Sequence, residues 1–134
     1  MHLPDIIINS LGVTQQTEIY YFQVFYYRSI VFREGNCILF KFLSENPVFL
    51  KIENIFEINA SIVFYGSLWC GIYRDPINFF ELINLSSKSF KTLDSLLNLD
   101  FSCYNVYTIA SKGVDIIIPY HHVLDLKEDN LIQF

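Results

Sequence analysis

Alanine stands at only two positions, Ala60 and Ala110, and methionine only at the first. A chain so short of strong helix formers is not a helical bundle. No run of lysine or arginine occurs, and 9 cationic side chains face 14 acidic ones, for a net charge of −5. That balance argues against direct binding of a nucleic-acid backbone and against docking on an anionic membrane. Cys37, Cys70 and Cys103 are odd in number and far apart in sequence. A disulfide framework is not expected, and a reducing intracellular setting is the simpler reading. The longest uncharged apolar stretch, Ala60 to Tyr73, is too short for a membrane-spanning helix. MHLPDIII has neither a basic n-region nor a long apolar h-region, so no secretory leader is expected. Asn59-Ala60-Ser61 and Asn84-Leu85-Ser86 match the glycosylation triplet. Without a secretion signal both read as chance matches.

Several chemistries lack their residue patterns. There is no H-x-H, C-x-x-C or H-E-x-x-H spacing and no glycine-rich phosphate loop. His121 and His122 are adjacent, and neighbours on a strand point to opposite faces, so the pair does not share a metal. Cys70 with either histidine could in principle supply a nucleophile and a base. It sits in the most apolar stretch, however, where a thiol is ordinarily inert packing. Cys37 and Cys103 read the same way. Glu53 and Glu57 lie on one strand face with Ile55 between them, too far apart to share a proton. The chain is therefore expected to be non-catalytic, with no metal and no cofactor. The alternative is a small Cys/His-dependent enzyme or metal-binding protein.

What the chain does hold is aromatic and β-branched side chains. The length of 134 residues suits one domain, 1–134, with a single core. Three strands are legible in succession: GNCILFKFL, VFLKIENIFEI and SIVFYGSLWCGIYR. Val48, Leu50, Ile52, Phe56 and Ile58 alternate with Phe49, Lys51, Glu53, Ile55 and Glu57, which predicts one dry face and one mostly wet face. Asn59-Ala60 fits a tight reversal. The third strand is apolar on both faces and is expected to be central, with Gly66 and Gly71 marking a bulge or a sharp bend. Residues 1–17 read as an edge strand or a flexible arm around Ile6-Ile7-Ile8. Glu18 to Tyr27 reads as a strand buried on both faces or lying under another element, and past a turn at Arg28-Ser29 the segment Ile30-Val31-Phe32 begins a second strand or extends the first. Ile77 to Leu85 reads as a strand, and Ser86 to Ser89 as a loop. Thr92 caps one short helix to Leu99, with Leu93, Leu96 and Leu97 on its apolar side. Cys103 to Ala110 and Val114 to Ile118 pair across Ser111-Lys112-Gly113. Tyr120 to Leu126 makes a last extended or helical segment, and 127–134 is a polar tail with an apolar end. The expected fold class is mainly β: a small partly open barrel or strongly bent antiparallel sheet with one short helix.

Trp69, Tyr73, Phe79 and Phe80 fall together near the end of the central sheet, with Asp75 and Glu81 beside them. Such a cluster could cage a cationic side chain, a methylated lysine for example. The plainer alternative is that these rings fill the core. The few charges near Ile6-Ile7-Ile8 and Ile77-Asn78-Phe79-Phe80 suggest open strand edges, with Phe79 or Phe80 as an anchor for an added strand.

The order of these features carries a family resemblance. Arg33-Glu34-Gly35-Asn36-Cys37-Ile38-Leu39 resembles the opening of bromo-adjacent homology (BAH) domains. Phe49 to Phe56 is similar to their next strand, and Trp69-Cys70-Gly71-Ile72-Tyr73-Arg74-Asp75-Pro76 to their W-F-Y-R-P strand end. Gly71 and Asp75 depart from that pattern. Leu96-Leu97 and Ile117-Ile118-Pro119-Tyr120-His121-His122-Val123 resemble, in order, a β-domain at the C-terminal end of transposon-derived animal proteins. The resemblance implies a barrel-like module that binds a protein or extended peptide, not an enzyme. It also implies a nuclear setting, chromatin-associated or mobile-element-derived. A second copy of the chain is another expected partner.

Overall fold

The computed structural model describes residues 3–97 and 103–118. Helix α1 (Asp5–Leu11) comes first, then β1 (Ile19–Phe22), β2 (Val24–Tyr27) and β3 (Ile30–Arg33). The long strands β4 (Cys37–Leu43), β5 (Asn46–Ile58), β6 (Ser61–Arg74) and β7 (Phe79–Thr92) follow. Helix α2 (Leu93–Leu97), β8 (Cys103–Tyr104), β9 (Tyr107–Ile109) and β10 (Val114–Ile117) complete the set. The fold is mainly β, as the composition requires. No helix among the described residues is long and apolar enough to cross a membrane.

The main sheet is antiparallel throughout, in the order β8-β4-β5-β6-β7-β10-β9, with β1 pairing the far part of β5. It is curled into a partly open barrel. Lys51 on β5 reaches Asp115 on β10 at 3.4 Å, although β6 and β7 lie between them in the sheet. A flat sheet would hold those two strands roughly 14 Å apart, three spacings of about 4.8 Å each. The two ends of the strand path are also near neighbours in sequence. Only Asn105 and Val106 separate β8, which pairs with β4, from β9, which pairs with β10.

Bulges make that curl possible. Glu53 is an extra residue on β5, facing the Gly66 region of β6. Phe40 is extra on β4. Leu85, Ser86 and Ser87 of β7 stand against Leu68 alone. Each extra residue bends its strand and increases the twist. The bulge at Glu53 also changes the phase of β5. Val48, Leu50, Ile52 and Ile55 bury into one core, while Phe56 and Ile58 bury into another on the opposite face. The uninterrupted single face expected from alternation is therefore corrected: Ile55 changes rows with Phe56 and Ile58. Gly66 is confirmed as a bulge partner, since a Cβ there would lie 1.8 Å from the Lys51 carbonyl oxygen. Gly71 is not a bend, because the ladder runs through Gly71↔Leu82 without a shift.

The larger core joins Leu50, Ile52, Phe64 and Leu68 to Phe32 of the β2–β3 hairpin and to Leu93 and Leu96 of α2. Full burial of each such side chain contributes about 1.5–3 kcal/mol. Thr92 caps α2 as expected, its Oγ1 accepting from the Ser95 N–H at 3.4 Å. Asn59 and Ala60 both take positive φ, 49° and 67°, in the turn between β5 and β6.

Four expectations fail locally. Ile6-Ile7-Ile8 is helical, not an edge strand: Pro4 stands at the start of α1, Asp5 in its first turn, and Gly12 ends it with φ 63°. Leu3 and Ile7, four apart, bury against Phe56 and Val63, and tertiary packing outweighs the β-propensity of the isoleucines. Glu18 to Tyr27 is two strands in different sheets, and β1 is largely exposed. Ser86 to Ser89 belongs to β7, held by its ladder to β6. Phe79 and Phe80 are not at an edge, since Phe80 pairs with Tyr73 on one side and Ile117 on the other. The closing segment Tyr120 to Leu126, the tail 127–134 and the end of the helix at 98–99 lie outside the described residues.

Candidate functional site

The six aromatic and acidic residues singled out from the sequence do not form one cage. In the β6–β7 ladder Tyr73 faces Phe80 and Arg74 faces Phe79. Successive strand residues point to opposite faces, so the cluster is divided by the sheet itself. Phe79 packs with Ile116 and Ile118 on one side. There Asp75, Phe79 and Glu81 line a groove of ≈ 270 Å³ that also holds Arg74 and Lys112. Arg74 Nε donates to Glu81 Oε1 at 3.2 Å, so this groove carries its own counter-ions.

Trp69, Tyr73 and Phe80 belong to the other face. Trp69 is already engaged there. Lys51 Nζ lies 5.2 Å from its ring centroid, and its indole N–H donates to Ser67 Oγ at 2.8 Å. Lys51 in turn meets Asp115, whose Oδ1 accepts from Thr108 Oγ1 at 2.7 Å. An aromatic face, a cation and a carboxylate are thus assembled within the chain.

Tyr73 and Phe80 open onto a second groove of ≈ 320 Å³. Phe49, buried from β5, is the base. Its ring meets Phe80 at 5.8 Å and 62°, and Tyr104 of β8 at 5.7 Å and 81°. Tyr73 meets Phe80 at 5.5 Å and 63°. These edge-to-face contacts are the geometry that aromatic quadrupoles favour. Gly71 makes the arrangement possible, because a Cβ there would lie 2.8 Å from Phe49 Cε2 and 3.3 Å from Phe80 Cδ1. Phe42 at the end of β4, Glu45 in the turn and Pro47 at the start of β5 stand at the mouth. Phe42 is 59 % exposed and Tyr73 46 %, a large apolar surface to leave in water.

This groove runs beside an open strand edge. β8 covers β4 only at Cys37 and Ile38. Over Leu39–Leu43 no other strand among the described residues pairs with the outer side of β4. Phe42, Glu45, Phe49 and Tyr104 were not distinguishable as site residues from their positions in the chain. One signal was present for Phe49, an aromatic in the mostly charged row of Lys51, Glu53, Ile55 and Glu57. Another was the apolar pair Phe42-Leu43 at the brink of a polar turn. Nothing in the sequence marks Tyr104.

Cys37 and Cys103 are poor nucleophiles in this setting. Burial pushes the Cys37 thiol up to about 12, against a smaller opposing pull from Lys51. Burial raises Cys103 to about 12 as well. Both thiols are neutral at physiological pH, and the thiolate is the reactive form. They pack in different cores on opposite faces of the sheet. His121 and His122, and with them any partnership with Cys70, lie outside the described residues. Among the described residues no group of three or more His, Cys, Asp or Glu could hold a metal ion.

No family model matches the chain, and comparison with curated proteins and with solved structures returned no match.

Proposed function

We propose that this chain is a non-catalytic protein-binding module that receives an extended peptide beside β4. The observation that carries this reading is the coincidence of a strand edge, Leu39–Leu43, that no other described strand covers and where Lys91 caps only the Phe40 carbonyl, with an aromatic groove along the same side. Main-chain hydrogen bonds to an open edge supply affinity, and alternate side chains of the added strand enter neighbouring pockets and supply selectivity. Phe80 remains in the proposed anchor region as a groove wall. Phe79, only 9 % exposed, does not reach that groove. A nuclear setting belongs to the same proposal, chromatin-associated through the resemblance of Arg33 to Leu39 and Trp69 to Pro76, or mobile-element-derived through that of Leu96-Leu97 and Ile117 to Val123. Its own test is the location of a fluorescent fusion of the whole chain.

The binding test is selection of peptides from a random displayed library on the immobilised chain. Selected peptides are expected to slow amide exchange over Leu39–Leu43. They are also expected to bind at least about tenfold more weakly to Phe42→Glu, the loss of one well-buried apolar contact at an interface. A selection that enriches nothing removes the proposal. So does a set of peptides indifferent to both Phe42→Glu and Phe80→Ala in folded protein.

A further inference from the structure

We infer that the groove beside β4 takes a cationic side chain of an extended partner segment: an arginine, a lysine or a methylated ammonium. The inference rests on the peptide-binding reading and names the chemistry of the residue that enters the groove. Its first ground is ring geometry. Phe49, Phe80, Tyr73 and Tyr104 meet their neighbours at 62° to 81°, so adjacent rings form the walls of a corner, not a flat shelf. Ring faces are the negative part of an aromatic quadrupole, and walls at such angles can turn more than one face towards the same cation.

The second ground is charge. Glu45 is the one charged residue in the lining, and among the described residues no cation pairs with it. Two other places where described aromatics meet carboxylates already hold cations. Trp69 holds Lys51, which Asp115 binds at 3.4 Å. The groove at Asp75 and Glu81 contains Arg74 and Lys112. The groove beside β4 therefore has the same two components, π faces and a carboxylate, and no described cation pairs with that carboxylate. A net charge of −5 on the chain favours encounter with a basic partner.

The test uses the whole chain and a set of capped host peptides, acetyl-Thr-Val-X-Val-Thr-amide. X is arginine, lysine, trimethyl-lysine, norleucine or glutamate, and affinity is read by NMR titration. Cationic X is expected to bind about tenfold more tightly than norleucine, the upper range of a partly desolvated cation–π contact, with glutamate weakest. Glu45→Gln should reduce the advantage of arginine and lysine several-fold while leaving norleucine unchanged. A trimethyl-lysine peptide that keeps its advantage in Glu45→Gln but loses it in Phe80→Ala assigns the recognition to the rings. An arginine peptide with the reverse pattern assigns it to the carboxylate. Either result supports the inference. Norleucine binding as well as lysine overturns it and leaves peptide binding intact. Cationic preference that survives both variants also overturns it, because the site is then elsewhere. If no host peptide binds while library-selected peptides still depend on Phe42, the cationic inference alone fails. If neither binds, both readings fail.

Discussion

Replacing Gly66 with alanine tests the physical basis of the curl. Gly66 is buried opposite the bulge at Glu53, and the new Cβ would stand 1.8 Å from the Lys51 carbonyl oxygen and 2.8 Å from its carbon. Carbon and carbonyl oxygen approach to about 3.3 Å in favourable sheet contacts, so the strands must separate by about 1.5 Å. The obstacle is backbone, which has no rotamer to yield. Ladder hydrogen bonds near 2.9 Å do not survive such a separation. Losing about two of them, at about 0.5–1.5 kcal/mol each, and leaving a buried group unpaired at about 1–3 kcal/mol gives a loss of about 2–6 kcal/mol. The smaller conformational entropy of alanine in the unfolded chain offsets about 0.4–1 kcal/mol of that. A net destabilisation of about 3 kcal/mol is expected, within the range of large single-site effects. The assay is urea unfolding followed by Trp69 fluorescence. With m near 2 kcal/mol/M, the midpoint should fall by about 1.5 M. Gly71→Ala is the comparison. Its nearest atoms are the Phe49 and Phe80 rings and Pro47 Cγ, which can shift, so about 1–3 kcal/mol is expected together with an altered groove. A Gly66→Ala midpoint equal to that of the parent protein, or well above that of Gly71→Ala, would refute the reasoning.

Ile7 is fully buried between α1 and the Phe56–Val63 face, so Ile7→Ala should cost about 2–5 kcal/mol, whereas the neighbouring exposed Ile6→Ala should cost under about 1 kcal/mol. Equal urea midpoints for the two variants would remove α1 from that core. Cys37 and Cys103 have folded pKa values raised to about 12 from an ordinary 9.0. Their contribution to stability is complete below about pH 9 and is lost as pH rises from about 9 towards 12, because only the unfolded chain ionises them in that window. The double variant Cys37→Ala, Cys103→Ala should show a shallower fall in urea midpoint over that window than the parent protein. An identical slope would mean that the thiols are not held neutral by burial.

The strand plan was legible in the sequence because period-two alternation and turn residues act locally. Asn59-Ala60 ends one strand and starts the next whatever lies elsewhere, and the predicted β5 and β6 match the observed strands closely. The Thr92 cap of α2 is likewise a local hydrogen bond. Composition alone determined the mainly β class. Tertiary structure decided the rest. Whether Ile55 or Phe56 shares a face with Leu50 depends on one extra residue at Glu53, and a bulge is defined only against the partner strand. Ile6-Ile7-Ile8 has the composition of a strand, and becomes a helix because Leu3 and Ile7 find an apolar face on β5 and β6 to cover. The aromatic cluster read as one site is split because Phe79 and Phe80 are neighbours in the chain but lie on opposite faces of the sheet. The groove instead collects Phe42, Phe49, Phe80 and Tyr104 from four different strands. No local pattern records that meeting, since it is the curl of the sheet that brings those strands to one mouth.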